Sequence, residues 1–118
     1  MLRSIFVSLC VSFALLAVAG ENSHDPGVVA LAELPAEAAE TLLLIDRGGP
    51  FPYRRDGVVI KNLDKRLPAR ARGYYREYTV VTPGSRDRGA RRIISGAQPP
   101  AVFYYTDDHY RSFRRIKR

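Results

Sequence analysis

Tyr74-Tyr75-Arg76-Glu77-Tyr78-Thr79-Val80-Val81 leads through Thr82-Pro83-Gly84-Ser85-Arg86-Asp87-Arg88-Gly89-Ala90 into Arg91-Arg92-Ile93-Ile94-Ser95. The first and last runs are rich in aromatic and β-branched residues, which suit a pleated, half-buried surface. The segment between them holds the Pro, Gly, Ser and Asp of a loop. Two strands joined by a short connection favour antiparallel pairing. Alternation places Tyr75, Glu77, Thr79 and Val81 on one face and Tyr74, Arg76, Tyr78 and Val80 on the other. A hairpin centred on Gly84 and Ser85 sets Glu77 opposite Arg92, close enough for a charge pair.

Working outward, Val102 to Thr106 reads as a third strand and Ser112 to Ile116 as a fourth, with Val28 to Leu31 a short edge strand. Upstream, Ala38, Leu42 and Ile45 recur at helical spacing. Pro35 suits the first helical position, Glu37 and Glu40 suit the positive end of the dipole, and Gly48-Gly49-Pro50 ends the helix. Residues 50 to 68 hold turn signals, then an extended piece at Val58 to Asn62. The expected architecture is α+β: one N-terminal helix packed on a small antiparallel sheet, in a single domain spanning residues 28–118.

The first residues belong to something else. Arg3 precedes an almost wholly apolar run from Ile5 to Val18, and Ala17-Val18-Ala19 offers small residues at a cleavage site. This is the layout of a secretory signal peptide over residues 1–19, followed by a flexible leader at 20–27. The apolar run is shorter than the ~20 residues a membrane-spanning helix needs. Leu9 before Cys10 argues against lipid attachment. The expected product is secreted, or periplasmic where an outer membrane exists, without stable membrane association once the signal is cut. The mature part holds no cysteine, since Cys10 is the single one in the chain, so it offers neither disulfide nor cysteine metal site.

Charge is unevenly distributed. The formal net charge is +7. From Gly20 to Asp46 there are six acidic residues and no Lys or Arg, whereas from Arg47 onward 18 basic residues face six acidic ones. Such a basic field attracts polyanions and weakens steeply with salt. Composition alone leaves this open between nucleic-acid binding and a solubility device.

Few residues can carry chemistry. His24 lies in the leader. His109 sits in the turn Tyr104-Tyr105-Thr106-Asp107-Asp108-His109-Tyr110 and reads either as a solvated side chain or as a proton donor suited to neutral pH. Glu77 is a carboxylate in mid-strand, where Glu is disfavoured; by itself it could be a structural ion-pair partner. Arg86, Arg88, Arg91 and Arg92 crowd into seven residues. Arginine forks grip phosphate oxygens, although a charge run is commonly a solvated face.

These segments together resemble the small microbial guanyl-preferring ribonucleases, the family of barnase and ribonuclease Sa, from about Val29 to Ile116. The resemblance rests on Gly48-Gly49-Pro50-Phe51-Pro52-Tyr53, Asp56-Gly57-Val58-Val59, Gly73 to Val80, Thr82 to Arg86, Arg88 to Ile94 and Tyr104 to Tyr110, in the family's order. It implies an endoribonuclease cutting single-stranded RNA without metal or cofactor, leaving a 2′,3′-cyclic phosphate that is hydrolysed more slowly. It implies Glu77 as general base, His109 as general acid, and Arg88 and Arg92 as phosphate-holding catalytic groups, with Tyr110 beside the phosphate. The base would bind at Lys61, Asn62, Leu63 and Asp64. There Leu63 and Asp64 stand where the family has arginine and glutamate, and Ile60 where a phenylalanine is common; these departures bear on guanine preference, not on cleavage. Ala30 fills the first cysteine position of the disulfide that ribonuclease Sa carries. The resemblance also implies a monomer and a small acidic inhibitor of the barstar type. The competing reading from another class is a secreted basic module that holds nucleic acid or another polyanion without cutting it.

Overall fold

The computed structural model describes residues 26–118. The signal-peptide expectation over residues 1–19 and the leader expectation over residues 20–25 lie outside the described residues; of the expected 20–27 leader, Gly27 is described, and its carbonyl accepts the Arg115 N–H at 2.8 Å. Five strands and one α-helix follow in the order β1 (Val28–Ala30), a 3₁₀ turn (Leu31–Glu33), α1 (Ala36–Arg47), β2 (Tyr75–Thr79), β3 (Arg92–Gly96), β4 (Val102–Thr106) and β5 (Arg114–Lys117). The sheet order is β1-β5-β4-β3-β2.

The helix forms where the apolar period predicts it. Ala38, Leu42 and Ile45 are buried, joined by Thr41. Pro35 takes the N-cap position, one residue before the expected place inside the helix, and makes no side-chain cap bond. Gly48 closes the helix at φ 76°, a left-handed conformation that glycine adopts without steric cost. The Thr41 hydroxyl donates to the Thr79 carbonyl at 3.1 Å and so fastens the helix to β2.

Two clusters cover the two faces of the sheet. On one face Leu34, Ala38, Leu42 and Ile45 pack against Tyr78, Val80, Ile93, Tyr105 and Ile116. On the other, Leu67, Tyr75, Ile94, Tyr104 and Phe113 form a smaller cluster under the 60–70 loop. Each fully buried Leu, Ile or Val stabilises the fold by roughly 1.5–3 kcal/mol relative to exposure, so the helix face holds most of the apolar stabilisation.

Two expectations are corrected. The sheet is not wholly antiparallel, because β1 runs parallel to β5, with Val29 beside Ile116. The intervening chain, which carries the helix and the rest of the sheet, is long enough for a parallel return. The β2–β3 register also differs from the symmetric hairpin. Glu77 stands opposite Ile94, and Thr79 opposite Arg92. The ladder extends to Val80 N–H on the Arg91 carbonyl, so the centre of the loop falls between Ser85 and Arg86. Two successive local turns cause the shift: Ser85 N–H bonds the Thr82 carbonyl, and the Asp87 carboxylate takes the Ser85 hydroxyl and the Gly89 N–H. A slip of two residues preserves the face, so Glu77 and Arg92 remain on one side as diagonal neighbours. The extended piece at Val58 to Asn62 forms a single bridge, Val59 with Arg76, rather than a full strand.

Candidate active site

The sheet face opposite the helix changes character along β2. Tyr75 belongs to the apolar cluster, whereas Glu77 and Thr79 are buried polar residues beside Arg92 and Thr106. Glu77 is 3% exposed and Arg92 is 2% exposed. A carboxylate taken this far from water must be partnered to remain charged. Its Oε1 lies 3.2 Å from Arg55 Nε and 3.5 Å from Arg88 Nη1. Its Oε2 accepts the Tyr110 hydroxyl at 2.5 Å. The same hydroxyl accepts from Arg92 Nε at 3.1 Å, so Arg92 reaches Glu77 through Tyr110 rather than by the direct cross-strand pair expected. Burial, and then the bond to Glu77, raise the Tyr110 pKa, which keeps the phenol a donor.

Each arginine is set by its own segment. Arg92 Nη1 donates to the Arg91 carbonyl at 2.7 Å, which fixes the root of its fork. Arg88 Nη1 also reaches the Thr79 hydroxyl at 3.3 Å. Next to it, Gly89 lets the loop close on Thr82: at φ 67°, a Cβ there would sit 2.7 Å from the Thr82 hydroxyl oxygen. Beside it, Asp87 is held below the usual carboxylate range by the Gly89 N–H and then the Ser85 hydroxyl. Arg55 is placed by Asp56, whose carboxylate accepts the Tyr53 N–H at 3.0 Å and the Thr79 N–H at 2.7 Å.

The turn after β4 presents His109. The Asp108 carboxylate accepts the N–H groups of Arg111 and Ser112 together with the Ser112 and Thr106 hydroxyls. Partial burial raises the Asp108 pKa, but the Ser112, Thr106 and Arg111 hydrogen bonds outweigh it and bring it to about 2. Tyr110 N–H bonds the Thr106 hydroxyl and His109 N–H the Ala90 carbonyl. This bracing holds His109 at φ 58° and Tyr110 at φ 70°, left-handed conformations that cost non-glycine residues about 1–3 kcal/mol each. His109 is exposed, its ring centroid 5.0 Å from that of Tyr110. It thus lies beside Tyr110, whose hydroxyl links Glu77 and Arg92.

A cavity of about 450 Å³ opens beside this cluster, with Glu77 and Tyr110 at one end and Ile60 to Asp64 along one wall. The structure thus brings Lys61, Asn62, Leu63, Asp64, Glu77 and Tyr110 to one cleft. The Asn62 amide is committed to its own loop, donating to the Leu67 carbonyl at 2.7 Å and accepting the Leu67 N–H at 3.2 Å. Its side chain shapes the wall instead of reaching into the cleft. Leu63 is 80% exposed on the lip. The residue that sequence reasoning missed is Arg55, which also lines the cleft. Only its place in a turn closed by Asp56 and Gly57 hinted that it was fixed.

Comparison with known proteins adds identity to this geometry. Residues 17–117 match the ribonuclease family. The chain is 60% identical over 90 residues to guanyl-specific ribonuclease Sa3 of Kitasatospora aureofaciens, covering 76% of this chain and 63% of that relative's length. It is 54% identical to guanyl-specific ribonuclease Sa of the same organism, covering 76% of this chain and 93% of that one. Among solved structures, ribonuclease Sa2 in complex with mononucleotides superposes with a TM-score of 0.74 at 48% identity, covering 78% of this chain and 94% of that one. Ribonuclease Sa2 with guanosine-2′-cyclophosphate gives 0.72 at 47%, covering 77% and 95%. With the family match over nearly the whole described chain and guanyl-specific relatives at 54–60% identity, the chain belongs to the ribonuclease family, in its microbial guanyl-preferring branch.

Proposed function

We propose that this chain is an endoribonuclease that cleaves single-stranded RNA on the 3′ side of guanosine by transesterification. The observation that carries the reading is Glu77, a carboxylate buried between Arg55 and Arg88 and hydrogen-bonded to Tyr110 on the wall of an open cleft. RNA brings its own nucleophile in the 2′-OH. Glu77 takes the 2′-OH proton as that oxygen bonds to phosphorus. The 5′-oxygen of the next nucleotide leaves and receives a proton from His109. The products are a 2′,3′-cyclic phosphate and a 5′-hydroxyl. Water then opens the ring with the roles exchanged: His109 takes its proton and Glu77 returns one to the 2′-oxygen. Each proton transfer contributes ~10²–10⁴-fold. Arg88 and Arg92, preplaced and held by backbone carbonyl or hydroxyl groups, stabilise the charge that develops on the phosphate. Tyr110 keeps Arg92 and Glu77 in register.

Lys61 to Asp64 form the wall against which the base rests, with the Asp64 carboxylate the acceptor for guanine N–H donors. The relatives that support guanine preference are themselves named as guanyl-specific. The enzyme acts as an exported monomer, and a small acidic inhibitor would find charge complementarity on its basic surface.

The test is incubation of the protein with defined single-stranded RNAs in EDTA, with mapping of the ends. Cyclic phosphates after G are expected; absence of cleavage in EDTA, restored by a divalent ion, would overturn the mechanism. A module that only binds would keep its affinity and have no turnover to lose in Glu77→Gln and His109→Gln.

A further inference from the structure

The loop that walls the cleft has a second side. There a separate cavity of about 360 Å³ is lined by Ile60, Lys61, Lys65, Arg70, Arg72 and Tyr75, among others. Its composition differs from that of the cleft. The cleft contains the carboxylates of Glu77 and Asp64, whereas the second cavity holds four cations and no carboxylate. None of those four cations makes an ion pair among the described residues. Arg70 lies 5.3 Å from the Tyr74 ring centroid, so its guanidinium is anchored against an aromatic surface rather than freely solvated. The floor is firm: Tyr75 is buried and its hydroxyl donates to the Pro68 carbonyl at 2.6 Å. Lys65 is presented by a tight turn at φ 53°, its N–H on the Asn62 carbonyl.

We propose that this second cavity is a subsite for a flanking nucleotide of the RNA, gripping its phosphate through Lys65, Arg70 and Arg72 while the guanosine occupies the cleft. The inference rests on the ribonuclease reading of the cleft. The two cavities share Ile60, Lys61, Asn62 and Leu63, so they are separated by the thickness of one loop. A polynucleotide that crosses the exposed Leu63 passes directly from one to the other. Its phosphate would meet only positive charge there, and guanidinium planes also stack on bases. Of the groups assigned to the chemistry, Glu77 and Tyr110 line the cleft, and none of Glu77, Arg88, Arg92, His109 and Tyr110 lines the second cavity. The subsite therefore adds grip and length preference without entering the chemistry.

The test compares GpU with a hexaribonucleotide holding one internal G. The triple variant Lys65→Ala, Arg70→Ala, Arg72→Ala should cleave GpU with kcat/KM within about twofold of the parent. Its kcat/KM on the hexamer should fall about tenfold, through KM, and the log–log salt slope should lose about 0.7, the value for one neutralised phosphate on a single strand. A control triple, Arg47→Ala, Arg115→Ala, Lys117→Ala, removes the same charge from residues lining neither cavity and should keep the hexamer advantage. Equal losses on both substrates, an unchanged hexamer, or an equal effect of the control would each overturn the subsite. Binding of a hexamer with 2′-deoxyguanosine at the G, which cannot be cut, separates the two readings. If the parent cleaves nothing yet binds this probe about tenfold tighter than the triple variant, the subsite stands and the catalytic reading falls; equal binding removes the subsite.

Discussion

The two faces of the sheet are made from the same strands and do opposite work. On the helix face Tyr78, Val80, Ile93 and Tyr105 meet an apolar helix stripe, where packing volume rather than any one polar group sets the stabilisation. On the other face the alternate residues of the same strands, Glu77, Thr79, Arg92 and Thr106, are equally buried but polar. Their burial is tolerated because each is tied to a partner by geometry: Glu77 to Arg55, Arg88 and Tyr110, and Thr106 to Asp108 and Tyr110. A strand with period-2 alternation can thus put fold stability on one side and chemistry on the other. The arrangement predicts that substitutions on the two faces separate stability from turnover.

The largest separation is expected at Glu77. Glu77→Gln keeps the volume and a hydrogen-bonding end, and should lower kcat by ~10²–10⁴-fold while affinity for an uncuttable deoxy-substituted oligonucleotide changes only a few-fold. Steady-state kinetics with binding by anisotropy decide it; a variant that keeps a tenth of its turnover would break the contrast. On the opposite face, Leu42→Ala should destabilise the protein by about 2–5 kcal/mol in denaturant titration, with kcat near the parent value where the variant is folded. Tyr110→Phe removes the hydroxyl shared by Glu77 and Arg92. The loss of a charge-assisted bond of roughly 1.5–3 kcal/mol predicts a fall of about 10- to 100-fold in kcat/KM, greater than its effect on melting temperature implies.

A smaller effect concerns the turn that braces His109. The Asp108 pKa is depressed to about 2 in the folded chain. A depressed carboxylate stabilises the fold above its unfolded value near 3.9 and loses that contribution as pH falls through the interval down to about 2. Stability measured between pH 5 and 2 should therefore decline more in the parent than in Asp108→Asn, by about 1 kcal/mol once solvent screening of this turn is allowed for. The smallest effect is expected at the chain end. Arg118 forks onto Asp46 at 2.8 and 3.1 Å and lies 4.7 Å from the Phe103 ring centroid. This pair is exposed, so Arg118→Ala should cost no more than about 1 kcal/mol, and less in high salt.

Much of this contrast is legible in the letters. The helix follows from the spacing of Ala38, Leu42 and Ile45 and the Gly48 stop, because a 3.6-residue period and a left-handed cap are local properties. The strands follow from alternation, and alternation alone puts Glu77 and Arg92 on a common face in either register. Glu77 stands out as a carboxylate in mid-strand, whereas Arg88, Arg92 and His109 are picked out by the resemblance to the family, because an arginine run and a histidine in a turn are by themselves commonly solvated. The loop at Lys61 to Asp64 stands out by its resemblance to the family, and Asn62 by that route gained a place on the cleft wall that its side chain holds through Leu67.

What the sequence by itself determined is therefore the set of elements, the two faces of each strand and the family. Only the tertiary structure decided the pairing of β1 with β5, the two-residue shift that sets Thr79 opposite Arg92, and the arrival of Arg55 at Glu77. Those outcomes depend on how a ten-residue loop folds on Asp87 and on a turn 22 residues from Glu77 being fastened by Asp56. Periodicity is carried by neighbours in the chain, whereas register and cross-chain partners are fixed by loop geometry and packing among residues that are distant in sequence.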